Sequence, residues 1–478
     1  MKQYLKIYTI ILNIVLCFIT TNIAAQYTIE ERNRVVDSLY SVFNTNNKPG
    51  CSVAIINDGR IVYMNSFGLA NIEHKIPVSD STQFFLASVT KQFTGYSVAK
   101  LINQKKLNYN APVSRYLPKE NVLWDSVKVS NLIHHTSGVW DWPYLFIATG
   151  HDFNDVADRG KIYRLIKSQR EFSFHVGSRY QYTSSNYMLL GEIVKSVVDT
   201  GYYNWMRREV LEQAGMYKTV FQKRSTDIIK NRANGYLFKN NRYQRTTNNL
   251  GAVGTGFIYS NIKDMANWML YLLNDDSDIA RLMFKNGQLN SGKDVPYAFG
   301  LIKRGSNTYW HDGYMQGFRT VTILNKSKNF AIVLLSNSGS NHIVRSAFTV
   351  ANMYINDTIP YKQIDNYRQR FITEPKRRSR TTEDTEYGED IKDLEGVYLN
   401  NQLMIAYRIY IKENILFAAT AANNIKLKPV KDDPYKFTTD RFMLGNIVFI
   451  RNKHGKVTGF SIKQRRDNEI NFKKIEDK

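Results

Sequence analysis

The chain has 478 residues, a formal charge of +23 and 43% hydrophobic content. That is enough apolar material for two or three sizeable cores, and it excludes a disordered or fibrous chain. The basic residues are spread along the sequence without a nucleic-acid-binding motif, so no nucleic acid is expected as partner. The charge instead suits peripheral contact with an anionic envelope polymer or membrane surface.

Lys2 and Lys6 precede an almost unbroken apolar run from Ile7 to Ile19, and Ala24 and Ala25 supply small residues before Gln26. Residues 1–25 therefore read as a secretory signal peptide, whose apolar stretch falls short of the roughly 20 residues of a membrane span. Leu16 stands before Cys17 where a lipoprotein would carry a small residue. The expectation is an exported protein, periplasmic or extracellular. Cleavage removes Lys2, Lys6 and Cys17, leaving a charge of +21 and Cys51 as the single thiol, so no internal disulfide can form.

Next, Ser52 to Ile56 and Ile61 to Asn65 are strand-like and flank Asn57-Asp58-Gly59-Arg60, which suits a hairpin. A helix is expected after Ser88, with Val89, Phe93 and Tyr96 at helical spacing, and another over 186–198, with Leu190, Val194 and Val197 on one face. Thr320 to Leu324 and Phe330 to Leu335 form a second hairpin pattern. Hairpins at both ends of a helical middle predict an α+β domain over 27–370, its antiparallel sheet assembled from the two chain ends. Residues 371–391 read as a charged linker, basic from Lys376 to Arg380 and then acidic to Asp390. From 392 to 478 eight short β-rich runs, beginning at Val397 and ending at Phe472, predict a small all-β barrel or sandwich.

The chemistry starts at Ser88-Val89-Thr90-Lys91. On a helix, residues three apart share a face, so the Lys91 amine can reach the Ser88 hydroxyl. A serine is a weak nucleophile until a neighbouring base takes its proton, and a buried lysine with a lowered pKa can be that base. An SxxK pattern alone is weak, and Ser260 to Lys263 matches it too. Rival chemistries lack their motifs: no GxSxG elbow and no HExxH occur, and the eight histidines show no zinc-ligand spacing. No metal and no cofactor are expected. Adjacent His134 and His135 read as structural or cleft-lining.

Several segments in order change the weight of that pattern. Lys48 to Ala54, Phe67 to Asn71, Ala87 to Thr94, Leu132 to Gly138, Gly177 to Gly191 and Tyr309 to Phe318 together resemble the serine β-lactamase, D-alanyl carboxypeptidase and esterase superfamily, particularly its class C-like branch. The resemblance implies a β-lactamase-like fold, with Ser88 as covalent nucleophile and Tyr182 as the tyrosine of a Tyr-x-Asn loop. Ser184 replaces the Asn of that loop, and Asn186 is considered as its substitute. His311-Asp312-Gly313 occupies the place of Lys-Thr-Gly, so His311 would offer a donor or positive charge. Gly313 would let substrate backbone lie close, and the Tyr314 N–H would join that of Ser88 in an oxyanion hole. Asp312 would oppose a substrate carboxylate. The expected activity is hydrolysis, through an acyl-enzyme, of an ester, an amide or a D-amino-acid peptide, with a small-molecule or peptidoglycan-derived peptide as substrate and with β-lactams ranked lower because of Ser184 and Asp312. The alternatives are a β-lactamase proper and a non-catalytic envelope receptor.

Overall fold

The computed structural model describes residues 27–475 apart from 45–46, 119–120, 248, 250–253, 255, 316, 374–386, 388, 432, 440–443 and 464–468. The predicted signal peptide and most of the predicted linker lie outside the described residues.

Helix α1 (Ile29–Tyr40) opens the described chain with a reciprocal cap, the Thr28 hydroxyl accepting from Glu31 N–H and the Glu31 carboxylate accepting from Thr28 N–H. Strands β1 (Cys51–Asn57) and β2 (Arg60–Phe67) form the first hairpin, and helix α2 (Lys91–Asn103) follows the Ser88 turn. Helices α3 (Trp142–Ala148), α4 (Ser184–Val197) and α5 (Ile262–Asn274) belong to the middle of the chain. Strands β3 (Ile302–Arg304), β4 (Thr308–Met315), β5 (Phe318–Asn325) and β6 (Phe330–Ser336) return it to the sheet, and helices α6 (His342–Ile355) and α7 (Tyr361–Thr373) close the unit.

The six strands run in the order β3-β4-β5-β6-β1-β2, all antiparallel. The two chain ends meet where β1 pairs with β6, Val53 opposite Leu334 and Ala54 opposite Val333. Both faces of the central strands are covered, which is why β6 reads as an unbroken apolar run. On one face Val53, Ile55, Ile332 and Leu334 pack with α1, α6 and α7. On the other, Ala54, Ile56, Ala331 and Val333 join the core of the helical region.

Helix α7 corrects the predicted linker boundary. It runs through Thr373, and Phe371 is buried against Tyr40 and Phe43 while its carbonyl accepts from Lys48 Nζ at 2.8 Å. The helix looks like linker because little beyond Ile364 and Phe371 is buried along it. At the far end, Leu394 is buried in the second unit and the Tyr387 hydroxyl donates to Leu427 O, so that unit begins before residue 392.

The second unit is a closed barrel of eight antiparallel strands: β7 (Gly396–Asn400), β8 (Ile405–Lys412), β9 (Ile415–Ala419), β10 (Asn424–Val430), β11 (Asp433–Thr439), β12 (Asn446–Arg451), β13 (Val457–Lys463) and β14 (Glu469–Lys474). Closure is made by β7 against β14. Alternation puts Tyr398, Tyr407, Phe449, Phe460 and Phe472 inside, where their rings pack on one another, so the interior is a core and not a ligand cup. Leu145, Ile147 and Ala148 of α3 join that same core. The Tyr407 hydroxyl donates to Ala148 O at 2.7 Å and Asn423 Nδ2 to Gly150 O at 2.8 Å, fastening barrel to α3.

Candidate active site

Ser88 sits in a single 3-10 turn, Ala87–Thr90, that leads into α2. Among residues 82–90 Ser88 alone is not fully buried, so its hydroxyl is the group the segment presents. The turn is held by Leu86, whose N–H donates to Ile258 O at 2.9 Å and whose carbonyl accepts from Thr320 Oγ1 at 2.9 Å. Ala87 has φ of 48°, a left-handed conformation that costs a residue with a Cβ about 1–3 kcal/mol and that the packed surroundings must enforce.

The Lys91 amine lies 3.0 Å from Ser88 Oγ and is completely buried. Burial lowers its pKa to about 7, against the opposing pull of the Asp141 and Asp312 carboxylates. At neutral pH a large share of Lys91 is therefore an uncharged base. The Tyr182 ring stands 5.1 Å from Lys91 Nζ, and its phenol is in hydrogen-bonding reach of Ser88. Burial raises the phenol's pKa well above its ordinary value, the Ser88 contact opposes this, and Asp141 and Asp312 add to it. That direction holds Tyr182 as a neutral phenol.

His311 is buried on β4. Its Nδ1–H donates to its neighbour's carbonyl, Asp312 O, at 2.7 Å, which leaves Nε2 to accept from the Tyr297 hydroxyl at 3.0 Å. Burial and the Lys91 charge push its pKa down to about 4, so of the two expectations, a donor or a positive charge, this environment disfavours the charge. Asp312 is not an isolated carboxylate: Arg319 Nη1 donates to it at 3.1 Å, and the Arg319 guanidinium also covers the Tyr314 ring at 4.3 Å. Its opposition to a substrate carboxylate is correspondingly reduced. At Gly313 the close neighbour is the protein itself. A Cβ there would lie 2.2 Å from Leu86 O and 2.5 Å from Thr320 Oγ1. Strand β3 pairs only with Thr308 to Trp310, leaving the edge of β4 beyond them to the nucleophile turn, and Tyr314 follows directly on that contact.

Ser184 begins α4, and its N–H donates to Asp141 Oδ1 at 2.6 Å; Thr183 Oγ1 donates to the same oxygen at 3.1 Å. Asn186 does not stand in for the missing Asn. It is buried, accepting from Ser137 Oγ at 2.7 Å and facing His135 Nδ1 at 3.3 Å. His134 and His135 are both buried and both meet Tyr297: His134 Nδ1 donates to its carbonyl at 2.8 Å, and the His135 ring lies 4.3 Å from its ring while His135 Nδ1 accepts from the Thr183 N–H. Asp141, Tyr297 and Arg319 are site residues that the sequence reading did not single out. Only the two tryptophans flanking Asp141 and the position of Arg319 opposite Tyr314 in the hairpin were available as signals. Among the described residues no cluster of three or more His, Cys, Asp or Glu is arranged to hold a metal ion.

This sheet and helical region, with a serine and a buried lysine at the edge of β4, define a β-lactamase-like fold. A family model described as Beta-lactamase matches residues 34–351, well over half of the chain, and the chain belongs to that family. It is similar to Protein flp of Staphylococcus aureus (strain MW2), 25% identical over 62% of this chain and 61% of that protein. A D-aminopeptidase of Gluconobacter oxydans is 24% identical over 63% of this chain and 58% of its own length. The chain thus spans about three fifths of these curated relatives. Among solved structures, the octameric penicillin-binding protein homologue from Pyrococcus abyssi aligns with 94% of this chain and all of that one, at 19% identity and TM-score 0.59. FmtA from Staphylococcus aureus aligns with 69% of this chain and 91% of its own, at 19% identity and TM-score 0.57. Such identities bear on the fold alone.

Proposed function

We propose that this protein is a serine hydrolase that works through an acyl-enzyme on Ser88, with an ester, an amide or a D-amino-acid peptide as substrate. The observation that carries this is the Lys91 amine 3.0 Å from Ser88 Oγ, in a site whose burial leaves that amine near half-neutral at pH 7. The Lys91 lone pair takes the Ser88 proton as Oγ attacks the substrate carbonyl carbon. The resulting oxyanion is met by the N–H groups of Ser88 and Tyr314. Tyr182 gives its phenolic proton to the leaving nitrogen or oxygen as the tetrahedral carbon collapses to the acyl-enzyme, and recovers a proton from the Lys91 ammonium. Water, deprotonated by the same pair, then releases the acyl group and restores the Ser88 hydroxyl.

Amides and peptides are favoured over β-lactams because Ser184 stands where β-lactam-hydrolysing relatives carry an amide side chain, and its hydroxyl is a shorter group with a single donor. The D-aminopeptidase relative supports the same choice. Export, and with it a peptidoglycan-derived substrate, belongs to this proposal and rests on the character of residues 1–25.

The test is intact-mass spectrometry of the protein and of Ser88→Ala after exposure to a fluorophosphonate and, separately, to a penicillin. An adduct confined to the protein with Ser88 is expected with the fluorophosphonate. A penicillin adduct as well would move the substrate toward the β-lactam side, and no adduct with either reagent would overturn the hydrolase reading in favour of a receptor.

A further inference from the structure

The charged and polar groups around Ser88 differ in how far a substrate can reach them. Lys91 is completely buried, with its amine on Ser88 Oγ at 3.0 Å. His311 is buried with both ring nitrogens engaged, Nδ1 by Asp312 O and Nε2 by the Tyr297 hydroxyl. Asp141 is buried too, and its Oδ1 accepts from the Ser184 N–H and the Thr183 hydroxyl. Asp312 differs: its side chain is 31% exposed, against 11% for the Arg319 side chain that pairs with it. The guanidinium is engaged within the protein. Nη1 donates to Asp312 Oδ2 at 3.1 Å, Nη2 donates to Asn341 Oδ1, and the group lies 4.3 Å from the centre of the Tyr314 ring. Among the described residues nothing donates to Asp312 Oδ1.

Of this ion pair, the anion is the member that a ligand meets. Asp312 also belongs to the reacting neighbourhood. Its charge acts on both Lys91 and Tyr182, and it directly precedes Gly313, which packs on the Leu86 carbonyl at the start of the nucleophile turn. An arginine that grips one carboxylate oxygen from inside fixes the direction of the other, so the open oxygen is oriented before a partner arrives. We propose that Asp312 is a specificity residue of the hydrolase, which receives a cationic group, a free ammonium above all, carried by the substrate beside its scissile bond. The assignment rests on the hydrolase reading and narrows it, from any ester or amide to one with an amino group close to the reacting carbonyl. A substrate carboxylate is disfavoured in the same place, because Lys91 and Arg319, the cations beside Ser88 and Asp312, are both turned inward.

The experiment compares three benzenesulfonyl fluorides that differ only in the para arm: aminoethyl, a cation; ethyl, neutral; and carboxyethyl, an anion. Each labels a serine by the same step, in which Oγ bonds to sulfur, fluoride leaves and the serine proton passes to the base. Second-order rates of Ser88 labelling on the full chain at pH 7 are read by intact mass. The aminoethyl reagent is expected to react about fivefold or more faster than the ethyl one, and the carboxyethyl reagent slower than both. The chain's net charge of +23 would by itself favour the anion, so general electrostatics and Asp312 predict opposite orders. Asp312→Asn should bring the ratio of aminoethyl to ethyl rates to within about twofold of unity. Any change that this substitution makes to Lys91 acts on all three reagents alike and cancels in the ratio. A cation no faster than its neutral partner, an anion fastest of the three, or a ratio that Asp312→Asn leaves unaltered would overturn the assignment. The order on the unaltered protein needs no variant to fold. Labelling without a charge order leaves the hydrolase reading standing, whereas no labelling of Ser88 by any of the three or by the fluorophosphonate removes that reading and this assignment with it.

Discussion

The pH dependence of Ser88 acylation follows directly from the position of Lys91. With a pKa of about 7, Lys91 is about 1% neutral at pH 5, about half neutral at pH 7 and almost wholly neutral at pH 9. An exposed lysine would be neutral in only about one molecule in several thousand at pH 7, so burial raises the supply of base by roughly a thousandfold. The second-order rate of fluorophosphonate labelling, followed by intact mass from pH 5 to 9, should therefore rise about tenfold per unit below pH 7 and level off above it. Lys91→Arg keeps length and charge but puts a guanidinium in place of an amine that must lose its proton, and labelling should fall by about a thousandfold or more across the range. A profile flat from pH 5 to 9, or one still rising steeply at pH 9, would refute the assignment. The second outcome would point to a phenolate at Tyr182 as the base.

The Asp141 carboxylate holds the Lys91 pKa up against burial, so Asp141→Asn, whose side-chain oxygen can still accept from the Ser184 N–H, should move the midpoint of that profile to lower pH. Gly313→Ala drives a methyl group to within 2.2 Å of Leu86 O; a loss of about 1–3 kcal/mol in chemical denaturation and labelling at least tenfold slower are expected. Tyr407→Phe leaves Ala148 O without its buried donor and should lower stability by about 1–3 kcal/mol, and the melt should remain a single transition because barrel and α3 share one core.

Much of the scaffold could be read from short-range pattern. Turn residues between apolar runs located both hairpins, and β-rich runs separated by polar or Gly-containing turns located the eight barrel strands, though whether they closed into a barrel depended on β7 meeting β14 some seventy residues apart. Ser88 and Lys91 were legible because helical geometry alone joins residues three apart. Asp141, Tyr297 and Arg319 were not, since their proximity to Lys91, His311 and Asp312 is made by tertiary packing. The charge states of His311 and Tyr182 were likewise hidden, because each is decided by the depth of burial and not by residue type. Helix α1 was overlooked although Thr28 and Glu31 carry a capping-box signal. The linker boundary was misplaced because a helix that buries so few of its side chains has the composition of a loop.

The fastening of α3 to the barrel gives the chain an order of completion. Asp141, which fixes the start of α4 behind Tyr182, directly precedes α3, and the partner that covers the end of α3 is Tyr407, 259 residues downstream of Ala148. During synthesis Leu145, Ile147 and Ala148 wait for barrel residues made more than 240 positions later before their shared core can form. A chain lacking the barrel would expose Leu145, Ile147 and Ala148, which share its core, to water, so the barrel acts on the neighbourhood of Asp141 through packing.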